Sequence, residues 1–175
     1  MISKYFQKYC SYYLSKYWVT KKKFENILKN KISKDLFQKK ITESEKMYYI
    51  DEISIVLKYY EDMGFFDEPK LIEIKLENLM NRGYSFQKIK YYLQKDCFDM
   101  SLISSKISEL ETRKDVSENL MMKYLSRSGI IKKKTPNCTS EKNFDKILRK
   151  LLNQGFDYND SVNFINNRLK KYEVS

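Results

Sequence analysis

The sequence predicts an all-α protein, built as three tandem three-helix repeats that form an elongated, curved helical array. Three observations carry this expectation. Apolar residues recur at i, i+3 or i+4 and i+7 along most of the chain, the spacing of one helix face. Only four glycines and two prolines occur in 175 residues, too few for a fold rich in turns and short strands. A glycine, an aromatic residue and a helix-capping residue recur in that order where one helical pattern stops and the next begins.

The first repeat is expected over residues 1–64. Phe6, Tyr9, Cys10, Tyr13, Leu14 and Tyr17 lie on one face of a first helix. Thr20 is placed to cap a second helix that turns Phe24, Ile27, Leu28 and Ile32 inward. Residues 33–46 are polar and weakly patterned, so an inserted loop is expected there. A third helix carries Ile53, Val56, Leu57 and Tyr60 and stops at Gly64.

The second repeat, 65–112, opens with Phe65 and Phe66 beside that stop. Asp67 caps a fourth helix, and Pro69 falls in its first turn, where a missing N–H leaves no bond unmade. Ile72, Leu76, Leu79 and Met80 point inward. Gly83, Tyr84 and Ser85 repeat the joint, and a fifth helix follows. Asp99 caps a sixth with Ile103, Ile107 and Leu110.

The third repeat, 113–175, has a seventh helix with Leu120, Met121, Tyr124 and Leu125, ending near Gly129, and a loop over 130–140. The eighth helix buries Phe144, Ile147, Leu148, Leu151 and Leu152. Gly155, Phe156 and Asp157 form the last joint. Tyr158, Val162, Ile165, Leu169 and Tyr172 line the ninth helix. A three-helix group of about 50 residues encloses little core, so neighbouring groups are expected to stack.

Composition removes several chemistries. Histidine is absent, which excludes Ser-His-Asp and Cys-His catalysis and every histidine-containing zinc site. No G-x-x-x-x-G-K-[ST] loop is present to cradle a nucleotide. Glu61-Asp62 and Asp67-Glu68 are adjacent pairs, and neighbours on a helix point about 100° apart, so capping explains them better than shared acid–base work. No catalytic residue, cofactor or metal is expected. Cys10, Cys97 and Cys138 are too scattered for a disulfide framework, which suits a reducing cytoplasm. No apolar run reaches the roughly 20 residues of a membrane span, and the opening residues lack the pattern of a secretory signal. A cytoplasmic monomer is expected.

The formal net charge is +11, which points to a polyanionic partner. Three basic clusters are candidates for contact with one. Lys21, Lys22 and Lys23 sit in the first turn of the second helix, where they oppose the helix dipole; Lys16 and Trp18 lie just before them. Arg82, Lys88, Lys90 and Lys95 flank the middle joint. Lys132, Lys133 and Lys134 occupy the loop after the seventh helix. Aromatic rings beside lysines stack on bases in single-strand binders; at helical spacing most of those here are expected in the core. Tyr17 and Trp18, at a helix break, are the exceptions.

The joints are similar to those of the RecX family, regulators of the RecA recombinase, and the resemblance covers nearly the whole chain. Its middle-repeat pattern, G-Y-L-D-D-x-x-F and then R-x-G-x-G-x-x-x-I, resembles Gly64-Phe65-Phe66-Asp67-Glu68 and Leu71, followed by Arg82, Gly83 and Ile89. Tyr13-Leu14, Lys16, Thr20, Phe24 and Leu28 resemble its first repeat, and the run from Arg149 to Tyr158 its third. Ser85 stands where the family has a second glycine, Phe86 where proline is common, and Glu73 and Glu77 where arginines are usual. The resemblance implies a non-enzymatic protein that binds along the groove of the RecA–single-stranded DNA filament and restrains ATP hydrolysis, strand exchange and coprotease function, with weak electrostatic contact to the DNA. A general nucleic-acid-binding protein and a helical interaction scaffold are the alternatives.

Overall fold

The computed structural model describes residues 2–130 and 141–169. Among them are nine α-helices and no strand: α1 (Lys4–Lys16), α2 (Lys21–Phe37), α3 (Glu43–Asp62), α4 (Glu68–Asn81), α5 (Phe86–Lys95), α6 (Met100–Glu111), α7 (Lys114–Arg127), α8 (Glu141–Asn153) and α9 (Tyr158–Phe164), which runs into a π-helical turn, Ile165–Leu169. None of the described helices is long and apolar enough to cross a membrane.

The helices stop by a shared device. After α3, Gly64 takes φ 77°, its N–H bonds the Glu61 carbonyl at 2.8 Å, and the Phe65 N–H reaches back to the Tyr60 carbonyl at 3.1 Å. This is the left-handed stop that satisfies the last carbonyls of a helix, with an apolar residue following the glycine. Tyr84 after α4, Ile130 after α7 and Phe156 after α8 make the same reach, each behind a glycine of positive φ. After Gly64, Gly83 and Gly155 the next helix starts within three residues on a side-chain cap. Asp67 accepts from the Lys70 N–H at 3.1 Å, Ser85 from Lys88 at 3.2 Å and Asp157 from Asp160 at 3.1 Å.

The chain divides into two compact units. Of the described residues, 2–72 and 96–98 form the first, and 73–95 with 99–130 and 141–169 the second. In the first, Phe6, Cys10 and Leu14 of α1 meet Phe24, Leu28 and Ile32 of α2 and Ile53, Val56 and Tyr60 of α3, all 5% exposed or less. Thr20 caps α2 through the Lys23 N–H, and its hydroxyl donates to the Asp96 carbonyl at 2.8 Å, which ties residues 96–98 to this unit. In the second unit Ile89, Leu93, Ile103, Leu120, Leu125, Leu151 and Phe164 are buried.

The expected loop over 33–46 is corrected: α2 continues to Phe37, and α3 begins at Glu43. Asp35 anchors the extra turn of α2, its carboxylate accepting from Tyr5 Oη at 2.8 Å and from Lys31 Nζ at 2.6 Å. Thr42 and Glu45 form a reciprocal capping box that starts α3 early. Two side chains expected inward, Leu152 and Tyr158, are exposed; Tyr17 and Trp18, the two aromatics set apart from the core, are exposed as well. In α9 the buried places go to Ser161 and Phe164, with Ile165 just beyond them, at i, i+3 and i+4 of a regular helix face.

Candidate functional site

Every lysine of the first basic run has a carboxylate. Lys21 Nζ lies 2.7 Å from Glu61 of α3, and Lys22 Nζ 2.9 Å from Glu25. Lys23 pairs with Asp96, which the Thr20 hydroxyl holds by its carbonyl. Lys22 is the most open of the three, its side chain 62% exposed. Hydrogen bonds from Lys29 and Lys22 hold the Glu25 carboxyl below the usual range. The repulsion expected of three lysines at a helix N-terminus is thereby answered by partners that lie up to 73 residues away in sequence.

Lys16 folds back on its own helix, with Nζ 3.0 Å from Tyr12 Oη and 4.3 Å from the ring centroid. Trp18 is exposed, and Lys70 Nζ stands 5.8 Å from its ring centroid. In the second unit, Lys88 Nζ donates to Gln154 Oε1 at 2.7 Å and lies over the Tyr84 ring, while the Ser85 hydroxyl donates to the Gln154 carbonyl at 2.6 Å. Lys88 therefore fastens one joint to another. Arg82, Lys90 and Lys95 are exposed. Lys132, Lys133 and Lys134 lie outside the described residues.

A hollow of about 260 Å³ opens between the α1–α2 joint and the α3–α4 joint, walled by Tyr17, Trp18, Met63, Phe65, Lys70 and Leu71. Tyr17, Trp18, Met63 and Phe65 are each more than 40% exposed, so four large apolar side chains converge on one open depression. From it an exposed apolar stripe runs along α3 through Tyr59, Ile55 and Tyr48. Tyr17 and Trp18 were legible in the sequence; this stripe was not. Its spacing from Met63, i−4, i−8 and i−15, adjoins the buried face, and the pattern alone does not separate the two.

Two buried groups lie apart from these surfaces. The Cys10 thiol is pushed up to about 12, by burial first and by the Glu52 carboxylate second, so it is an inert core thiol. Glu52 of α3, itself buried, accepts from the Ser3 N–H at the start of α1, and a carboxylate suits that positive helix end. Cys97 takes φ 61° at the end of α5, a place that glycine fills at four other helix ends.

Comparison of the chain with protein-family models, with curated proteins and with solved structures finds no match.

Proposed function

We propose that this chain is a non-enzymatic regulator of a RecA-type recombinase, acting in the cytoplasm as a monomer and binding along the RecA–single-stranded DNA filament to restrain its ATP hydrolysis. The observation that carries the reading is the ordered series of joints. Gly64, Gly83 and Gly155 each take positive φ, each is followed by an aromatic residue, and each leads to a capped helix at Asp67, Ser85 or Asp157. These are the residues on which the resemblance to RecX rests. The finer arrangement, three tandem three-helix groups, is part of the same proposal.

A filament is long and repetitive, and a chain of short helices offers many shallow contacts in place of one reactive cleft. Basic residues in both units, among them Lys16, Lys22, Arg82 and Lys90, would speed encounter and make affinity fall with salt.

The direct test is RecA's single-strand-dependent ATP hydrolysis with this protein added below stoichiometry. Suppression, together with tighter binding to RecA-coated than to bare strands at the same salt, is the expected result. Unchanged hydrolysis removes the proposal. Equal affinity for coated and bare strands turns it into a general nucleic-acid-binding protein.

A further inference from the structure

The first unit divides its charge between two helices. α2 holds six lysines against Glu25 and Asp35. α3 reverses this, with six carboxylates against Lys46 and Lys58. The acidic helix also carries the uncovered apolar surface. Tyr48, Ile55, Tyr59 and Met63 are 60%, 57%, 50% and 56% exposed and fall at i, i+7, i+11 and i+15, a single stripe about 22 Å long at 1.5 Å per residue. Asp51 and Asp62 adjoin it, three residues beyond Tyr48 and Tyr59 respectively.

At its C-terminal end the stripe enters the hollow walled by Trp18, Phe65 and Lys70. The segments forming that end, 14–19 and 61–71, carry Lys16 and Lys70 against Glu61, Asp62, Asp67 and Glu68. Counting Lys21, which pairs with Glu61, leaves carboxylates still in excess, in a chain of net charge +11.

We infer that the α3 stripe and the hollow at its end form a docking face for a basic amphipathic helix of a protein partner. The occupant follows from charge. A polyanion is repelled by an acidic helix, whereas a helix with an apolar stripe flanked by Lys or Arg meets complementary groups along the whole track. The stripe supplies apolar contact over about four turns, and the hollow accepts one large side chain. The exposed Trp18 ring already draws a lysine and offers its face to a guanidinium of the partner. Contiguous exposed apolar stripes of this kind mark interaction sites. The proposal does not rest on the filament reading.

The test uses the whole protein and Trp18, its single tryptophan, as reporter. Three probes are titrated: an amphipathic helical peptide of leucine and lysine about four turns long, its counterpart with glutamate in place of lysine, and oligothymidylate. The lysine peptide is expected to shift Trp18 emission and to bind at least about tenfold more tightly than the glutamate peptide. Oligothymidylate should leave the emission unchanged. Ile55→Ser should weaken the lysine peptide at least about tenfold with helix content intact; should helix content fall, Met63→Ser, just beyond the last turn of α3, replaces it. Equal affinity for the two peptides, binding undiminished in the folded variant, quenching by oligothymidylate, or no emission change up to about 1 mM peptide overturns the inference. So does self-association abolished by Ile55→Ser, which would assign the face to a second copy of the chain.

Discussion

Gly83 lies directly against the backbone of Tyr124: a Cβ built on Gly83 would collide with the Tyr124 amide nitrogen and stand 2.8 Å from the Leu120 carbonyl. Gly64 has nearly the same φ, 77° against 70°, but nothing within 4 Å of its own absent Cβ. The pair separates two demands on glycine, a left-handed backbone and a close approach. Gly64→Ala should lose about 1 kcal/mol, the penalty of the left-handed region alone. Gly83→Ala must also push α7 away from the α4–α5 joint and should lose about 2–4 kcal/mol. Urea unfolding of the two variants measures the difference; equal losses would show that α7 yields freely.

Such glycines made the joints legible in the sequence. So did the caps: Thr20, Asp67, Ser85, Asp99 and Asp157 all accept from backbone N–H groups, and each is a short polar side chain just before an apolar period. What stayed hidden lacked a local signal. α2 and α5 end in the same left-handed turn at Lys39 and Cys97, residues that rarely occupy it. Asp35 reads as a loop residue, yet it is buried by Tyr5 thirty positions away. The partners of Lys21 and Lys23, Glu61 and Asp96, are likewise distant in sequence, so a row of lysines read as bare charge. Of the candidate site, Trp18 and the lysines were visible; their pairing, and the division of charge between α2 and α3, emerged only when the chain was folded.

The start of α3 gives a second measurement. The Thr42 hydroxyl accepts from the Glu45 N–H at 3.2 Å, and the Glu45 carboxylate accepts from the Thr42 N–H at 2.7 Å. Thr42→Ala removes one half of this box and should lower stability by about 1 kcal/mol. Because Ile41, immediately before the cap, is buried against the first unit's core, hydrogen exchange at residues 43–46 should accelerate by a similar factor. Exchange of the Glu45 and Lys46 amides already fast in the parent protein would mean that the box does not hold the start of α3 in solution.

Acid should weaken the first unit through Asp35. Burial pushes its carboxyl upward, but the bonds from Lys31 and Tyr5 outweigh that and leave it below the usual range. The unfolded aspartate titrates near 3.9, so between the two values the unfolded chain binds more protons. The contact's stability is therefore complete above about pH 5 and is lost as pH falls through the folded value. Glu25, paired with Lys29 and Lys22, has the same sign. Asp35→Asn keeps an acceptor for Tyr5 but leaves Lys31 without its counter-charge. It should lower stability at pH 7 by about 1–2 kcal/mol and flatten the fall below pH 4. An unchanged acid limb in that variant would assign the acid sensitivity elsewhere.

Lys22 and Lys23 stand next to each other and should behave differently. Lys23 and Asp96 are each about one-third exposed or less, and Asp96 is also held through its carbonyl by Thr20, so this pair is part of the scaffold. Lys22 reaches only Glu25, one helical turn along, and most of its side chain faces water; exposed pairs of that kind contribute about 0–1 kcal/mol. A double-mutant cycle on Lys23 and Asp96, each changed to Ala, should give a coupling of about 1 kcal/mol, whereas the cycle on Lys22 and Glu25 should give less than about 0.5 kcal/mol. Function should sort the other way. If the proposed filament binding holds, Lys22→Glu should weaken binding to RecA-coated strands, most at low salt, with stability unchanged, because a fixed pair at Lys23 is less free to meet a phosphate or a carboxylate. Equal weakening by Lys22→Glu and by a charge-neutral Lys23→Met, corrected for stability, would show that the polyanion displaces Asp96 and uses both lysines alike.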